Sequence, residues 1–439
     1  MSDFHQQALQ LAAQQQSPVW LQGLRAQAAI DWQKVIWPTR KTEHWKYTSL
    51  ASLQKSHPVL LKNSASQSES LSNSWQQDVD LIGVDAIRLV FVDGVFNAAS
   101  STELSADVVL FSQANPTQQA VIQQHLGTVI CGDQHVFATL NNAWVNEGVL
   151  VHVPRGTTLS KPVYLVQVAT ITGQAVSVNQ RLLVVLEENT HAEVIEHYAS
   201  TAGQQNSFVN ALTEIVVGDN AQLQHYRLHL EEENIQHIGA VHVNLMRNAR
   251  MRGFTLAHGS RLKRIDYQIN HRGPGADLDL QGVYLPRNKQ MVDYHTNVQH
   301  WVPHCTTNEV FRGIIADSAQ AIFNGRIYIH PLAQKTLAQL SNKNLLTSNK
   351  AEVNTKPELE IYADDVKCAH GATISQLNST AMYYLQSRGI SRSEAEVMMS
   401  FGFINELLQQ VAEPAVRDYL LPRLALLFGR DKVLLEAAE

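Results

Sequence analysis

Residues 358–375 run Glu-Leu-Glu-Ile-Tyr-Ala-Asp-Asp-Val-Lys-Cys-Ala-His-Gly-Ala-Thr-Ile-Ser, and within them Cys368 and His370 stand two apart. Thiolate and imidazole are the ligand types that zinc, iron and iron–sulfur clusters prefer. Leu359, Ile361 and Ala363 alternate as a strand does, Asp364-Asp365 breaks the pattern, and Val366, Cys368 and His370 resume it with the opposite parity. On a strand, residues i and i+2 share a face roughly 6–7 Å apart. A thiolate and an imidazole so placed address one metal ion or one cluster edge. Two ligands fall short of the usual four, and no other Cys or His lies within twenty residues on either side. The rest would come from a distant strand or from another chain. The same spacing serves equally a small buried Cys beside a solvent-facing or structural His. Gly371 suits a bend or a close backbone approach.

Asp364-Asp365 offers a second chemistry, the paired carboxylates of a polysaccharide-cleaving enzyme. Adjacent strand residues point to opposite faces, which weakens that reading. Other catalytic signatures are missing from the sequence. There is no GxxxxGK[ST] loop, so the chain is expected not to hydrolyse ATP itself. No GxGxxG follows a strand, Gly273-Pro274-Gly275 reads as a turn, and no GxSxG, HExxH or zinc-ribbon spacing occurs. A scaffold or binding protein is favoured over an enzyme.

The 439 residues suffice for two or three domains, and 44% hydrophobic with 17% charged residues fits a large core. A net charge of −6 carries no basic footprint for nucleic acid. The start, Met1-Ser2-Asp3-Phe4-His5, has neither a cationic nor an apolar leader region, and no apolar run approaches a membrane span. A cytoplasmic location is expected, with no membrane partner. Cys131, Cys305 and Cys368 form no CxxC pair and no disulfide framework. Cys131 and Cys305 are expected to be structural. The 19 histidines fall mostly singly in strand-like segments.

The elements that must position Cys368 and His370 follow from the patterning. Residues 1–148 read as a helical or mixed domain. Helices lie over 3–33, with Pro18 in the first turn of the second, and again near 116–126 and 134–146. A Ser/Asn-rich stretch at 62–76 reads as a flexible linker. Asp93-Gly94 turns a hairpin over 87–96. Residues 149–376 are strand-rich. A turn followed by alanine recurs there, and Ala192, Ala221, Ala249 and Ala276 are spaced 29, 28 and 27 residues apart. Stacked coils of about that length predict a β-solenoid or β-helix, with a β-sandwich second. Stacked coils leave open edges, which helices must cap or another chain must pair.

Residues 377–439 read as helices. Asn378 is an N-cap, Gly389 a stop, Ser391-Arg392-Ser393-Glu394 a capping box, and Gly402 an interruption before a helix over about 403–412. Pro414 then resets the chain into a last helix over about 415–428. This bundle serves either to cap the β-region or to dock a partner.

Three stretches carry a resemblance over nearly the whole chain. They are Pro38-Thr39-Arg40-Lys41-Thr42-Glu43-His44-Trp45-Lys46-Tyr47, Asp364 to Thr373, and Tyr384 to Ser391 with Glu394-Ala395 and Gly402-Phe403. Together they resemble the SufD family, scaffolds of the SUF iron–sulfur cluster assembly system. The resemblance implies a mainly β protein: a right-handed parallel β-helix between N-terminal and C-terminal helical domains. It implies pairing with a sister scaffold, SufB, through the β-helix, and docking of an ABC-type ATPase, SufC, through the C-terminal helices. Tyr384, Arg388, Gly389, Glu394, Gly402 and Phe403 are the docking candidates. ATP-driven pairing of two ATPases would open the scaffold pair so that a cluster forms at the interface. His370, and less directly Cys368, would then hold iron or the nascent cluster with a Cys of the sister. No cofactor would be tightly bound in the isolated chain, and two isolated chains could pair as a homodimer. This sequence has no Cys cluster where sulfur would be received, so sulfur entry falls to the sister. A carbohydrate-active β-helix using Asp364 or Asp365, and a purely structural partner without ligands, are the other readings.

Overall fold

The computed structural model describes residues 3–14, 17–56, 59, 73–129, 135–170, 175–201, 203 and 207–428. Cys131 and residues 62–72 of the Ser/Asn-rich stretch lie outside them. Its final residues do not read as linker. Asn73–Gln77 is a 3-10 turn, and Trp75 within it is buried.

The strands among the described residues are β1 (Ile87–Val92), β2 (Val95–Phe96), β3 (Val108–Leu110), β4 (Val149–Val153), β5 (Val163–Ala169), β6 (Ser177–Leu186), β7 (His191–Ser200), β8 (Phe208–Val217), β9 (Gln222–His229), β10 (Gln236–Leu245), β11 (Arg250–His258), β12 (Leu262–His271), β13 (Asp277–Leu285), β14 (Met291–His300), β15 (Thr306–Ile315), β16 (Gln320–Ile329), β17 (Leu337–Leu346), β18 (Glu352–Ile361) and β19 (Lys367–Gln376). The helices are α1 (Asp3–Gln14), α2 (Gln22–Lys34), α3 (Ala51–Gln54), α4 (Pro116–His125), α5 (Val136–Trp144), α6 (Ser379–Ser387), α7 (Arg392–Gln409) and α8 (Pro414–Phe428).

Odd-numbered strands from β5 to β19 form one sheet, continued by β1 and β2, and even-numbered strands from β4 to β18 form the other, continued by β3. From β6 onward each strand pairs in parallel with the strand two places earlier. The chain therefore winds as a solenoid, each coil giving one strand to each sheet. That excludes the sandwich. The inward side chains of both sheets, among them Val194, Val243, Leu278, Tyr294, Phe311 and Phe323, make one continuous core.

The turn-then-alanine pattern is one corner of this winding. Asn220, Asn248, Gly275, His304 and Lys335 adopt positive φ, a conformation that Asn and Gly reach at low cost. The next residue in each case, Ala221, Ala249, Ala276, Cys305 and Thr336, is buried at the corner. Its carbonyl accepts a backbone N–H from the following coil. Ala192 does not belong to this series. It pairs with Leu223, and Thr190, after left-handed Asn189, occupies the corner instead. The alanine spacing found the coil length but was two residues out of register in its first step.

Helices flank the solenoid. Phe4, Trp32, Trp45, Phe137 and Trp144 of the N-terminal part pack with Phe208, Ile238 and Leu262 on the outside of the even sheet. Ile404, Leu407, Val416 and Leu420 of α7 and α8 pack with Tyr226, Phe254 and Val283 on the outside of the odd sheet. Gly402 does not interrupt α7, which runs through it as one helix. A mid-helix Gly costs roughly 1 kcal/mol against Ala, less than packing against the sheet supplies.

The two ends differ. At one, β2 folds back antiparallel on β1 and β3 lies antiparallel on β4. At the other, β18 and β19 are the outermost strands, and among the described residues no further strand follows. The C-terminal helices lie along the flank rather than over this end.

Candidate functional site

The open end displays Cys368 and His370. Cys368 is in register with Ala338 and His370 with Leu340, and both of those point into the core. The thiol and the imidazole therefore share the inward face, as their spacing predicted. Because no coil lies above them, Cys368 is half-buried against the core while His370 is exposed. No described residue hydrogen-bonds the His370 ring. Burial pushes the Cys368 thiol up, only partly offset by a hydrogen bond from the Ala338 backbone. A thiol so placed stays protonated until a metal displaces its proton.

The same last coil exposes apolar groups, Ile361, Tyr362 and Ile374, at 43, 56 and 48% exposure. The Tyr328 ring lies 5.2 Å from that of Tyr362 and 4.4 Å from His330. Asp364 and Asp365 occupy the turn between β18 and β19. Lys335 pairs with the Asp365 carboxylate, and the Gln334 side chain accepts the Asp365 N–H at 2.9 Å. The two acids are thus no free carboxylate pair.

The docking candidates fall into two groups. Tyr384 and Arg388 are exposed on and just after α6, the guanidinium lying 5.1 Å from the ring centroid. Gly389 takes positive φ and lets the chain reverse into α7. Glu394 closes the capping box, accepting the Ser391 N–H at 2.8 Å. Gly402 is exposed, whereas Phe403 packs inward and its carbonyl accepts Arg312 Nη1 at 2.7 Å. Tyr383, 73% exposed, stands beside Tyr384 and was not singled out from the sequence.

The 38–47 stretch is a staple. Trp45 lies under the Arg264 guanidinium at 3.9 Å, Arg264 also bonds the His44 carbonyl, and Glu43 meets Lys356 at 2.9 Å. A cleft of about 630 Å³ opens between this stretch and the even sheet.

Sequence reading missed a set of charges inside the solenoid. Glu231 accepts from Lys263 at 2.7 Å and pairs with His237 at 2.5 Å. Burial opposes its ionisation, but Lys263 and His237 outweigh that and hold Glu231 well below the usual carboxylate range. Glu196 is bonded by Tyr198, Thr213 and His225 at 2.6–2.8 Å, and burial is again overcome, chiefly by Arg227, which holds it at about 2. Two coils before the end, Glu309 is fully buried with no ion-pair partner among the described residues, its carboxyl facing the Thr296 hydroxyl. No sequence signal marks these groups, because only strand register brings them together.

Comparison with known proteins gives two family matches. Residues 1–165 match the SufBD protein N-terminal region, and residues 169–403 match the SufBD core domain of SUF system FeS cluster assembly. The chain is 31% identical over 385 residues to an iron–sulfur cluster assembly SufBD family protein of Synechocystis, covering 85% of this chain and 84% of the relative. It is 30% identical over 389 residues to the iron–sulfur cluster assembly protein SufD of Escherichia coli, covering 88% of each. The Bacillus subtilis SufD is 26% identical over 419 residues, covering 92% of this chain and 93% of the relative.

Proposed function

The chain belongs to the SufBD family of iron–sulfur cluster assembly proteins, and from that premise we propose that it is a non-catalytic, SufD-type scaffold. Its open solenoid end pairs with a homologous sister scaffold of the SufB type. The α6–α7 corner, with Tyr384 and Arg388 outermost, docks an ABC-type ATPase of the SufC type. Iron or a nascent cluster, as cargo, is held between the scaffolds by His370 and Cys368 with ligands from the sister. The setting is the cytoplasm. Two SufD-named relatives matched over most of their length support the SufD assignment.

One observation carries the site: two metal-ligand side chains share the inward face of a last coil that no described residue of this chain covers. Two ligands are too few to hold a metal alone, and the apolar rim of Ile361, Tyr362 and Ile374 has the composition of an interface core. In isolation a second copy would meet the same rim. No observation favours a carbohydrate-active enzyme, since Lys335 occupies one of the two acids it would need.

The test is iron and sulfide content of the anaerobically co-purified complex with sister scaffold and ATPase, wild type against His370→Ala and Cys368→Ser. Intact complexes that lose iron in the His370 variant support the ligand role. Unchanged content in both variants makes the chain an architectural partner and places the ligands elsewhere.

A further inference from the structure

The solenoid's repeat acts as its own control, and one place departs from it. At the end of the even-sheet strands, register stacks Val153, Leu186, Val217, Leu245, His271, His300, Ile329 and Ile361 in one inward column. Six of these are aliphatic, and two successive coils place histidine instead. Both imidazoles are fully buried and stack with ring centroids 4.2 Å apart at 13°. At the corner the chain turns next, the series Ala221, Ala249, Ala276 is followed by Cys305, also fully buried. One nitrogen of each ring and the Cys305 sulfur all lie within 4.8 Å of one another.

The next inward position of this coil, Thr307, has aliphatic Leu278 and Ala338 as its partners in the flanking coils. Its hydroxyl meets His271 Nε2 at 2.9 Å and His300 Nε2 at 3.0 Å. Nδ1 of each ring has no hydrogen-bond partner, although the Ala276 carbonyl lies against the His271 ring. The Cys305 thiol meets the Gly273 and Pro303 carbonyls, each at 3.5 Å, and its sulfur faces the Ala276 and Gly275 backbone N–H groups. Buried imidazole nitrogens without partners carry a desolvation cost that an apolar side chain would avoid. In a column where Leu and Ile fit, two such rings facing one thiol need a reason.

We propose that His271, His300 and Cys305 form a metal-binding site for a borderline-soft ion such as Zn²⁺ or Fe²⁺, inside the solenoid corner and separate from the open end. Two imidazoles and a thiolate suit such ions and disfavour Mg²⁺ or Ca²⁺. Thr307 holds both rings in place, the role that a hydrogen-bonded partner plays for metal-bound histidines. Binding replaces the Cys305 proton with the ion, and the proton leaves to solvent. Access is through the corner at residues 301–304, where His304 is exposed and left-handed.

The test uses the full chain carrying Cys131→Ser, Cys368→Ser and His370→Ala, so that Cys305 is the only thiol. Anaerobic titration with Co²⁺ is expected to saturate at about one equivalent, with a thiolate-to-cobalt charge-transfer band that Zn²⁺ abolishes. Adding Cys305→Ser should remove the band, and His300→Asn should weaken binding at least about tenfold. Absence of the band at saturating Co²⁺, or its survival in the Cys305 variant, overturns the proposal. Zinc-edge X-ray absorption of the zinc-loaded, unsubstituted chain is a check independent of variant folding. A sphere containing one sulfur and two imidazole nitrogens supports the site, and a sphere of oxygens alone overturns it.

Discussion

The closed and open ends of the solenoid are built from the same coil and finished differently. At the closed end, antiparallel β2 and β3 complete the sheets, and Phe91 packs against Phe96 at 5.5 Å. At the open end, the inward column that buries Ala338 and Leu340 continues one step further to Cys368 and His370 and then stops. The same backbone geometry thus gives burial in one place and display in the other. Charge follows a related division. Glu196, Arg227, Glu231 and Lys263 are sealed inside the middle coils, whereas the open end shows a neutral thiol and an unengaged imidazole. Groups locked into the interior serve one structure. Groups left on the last coil remain free to take a ligand or a partner.

The largest effect expected from breaking this division is at Lys263. Lys263→Met leaves Glu231 buried with only His237 to share its charge, and removing one partner of a buried pair costs about 3 kcal/mol or more. Urea unfolding should show a lower midpoint with unchanged slope. A loss below about 1 kcal/mol would mean that water reaches this interior.

Glu309 tests the interior nearer the open end. Burial lifts it from 4.5 to about 7, with Thr296 opposing only weakly. A carboxyl raised in the folded state contributes fully below its unfolded value, and that contribution is lost as pH rises through the folded one. Each unit is worth about 1.4 kcal/mol, so Glu309→Gln should stabilise the chain by roughly 3 kcal/mol at pH 8 and by less than about 0.5 kcal/mol at pH 4.5. Thermal unfolding across that range checks it. Equal gains at both pH values would show that Glu309 does not titrate in this window.

At the rim, Ile374→Glu places a charge on the exposed face of β19. It should weaken pairing with the sister scaffold tenfold or more, about 1.4 kcal/mol, while leaving the unfolding midpoint of the isolated chain unchanged. Loss of pairing together with loss of stability would count as damage to the coil rather than to an interface.

Part of this division was legible in the sequence. Alternation around Asp364-Asp365 located β18, β19 and the shared face of Cys368 and His370. The Asp93-Gly94 hairpin is present, with positive φ at both residues. Illegible features depended on register between coils. Ala192 resembles the corner alanines in sequence yet faces a different column, because it lies two residues past the corner, inside β7 and opposite Leu223. Cys305 looks isolated until the corner series places it against His271 and His300. Glu309 lies in an ordinary strand sequence, and only the stacked neighbours Leu280 and Leu340 make its carboxyl costly. Gly402 carries a stop signal that α7 overrides by packing on the odd sheet. Periodicity reports which face a residue takes, and register decides what it meets there.

The smallest effect is expected at the candidate ligands themselves. Cys368 is half-buried and His370 exposed, and no described residue hydrogen-bonds the His370 ring, so their removal strands no buried polar partner. Surface changes of this kind usually stay within about 0.5 kcal/mol. Cys368→Ser and His370→Ala should therefore unfold at the wild-type denaturant concentration while the assembled complex loses iron. The contrast with Lys263 is the point of the measurement. If the His370 variant instead destabilised the isolated chain by 2 kcal/mol or more, about what a buried structural group costs, the open end would be held together by this residue. Its exposure would then be incidental, and the ligand role would lose its structural support.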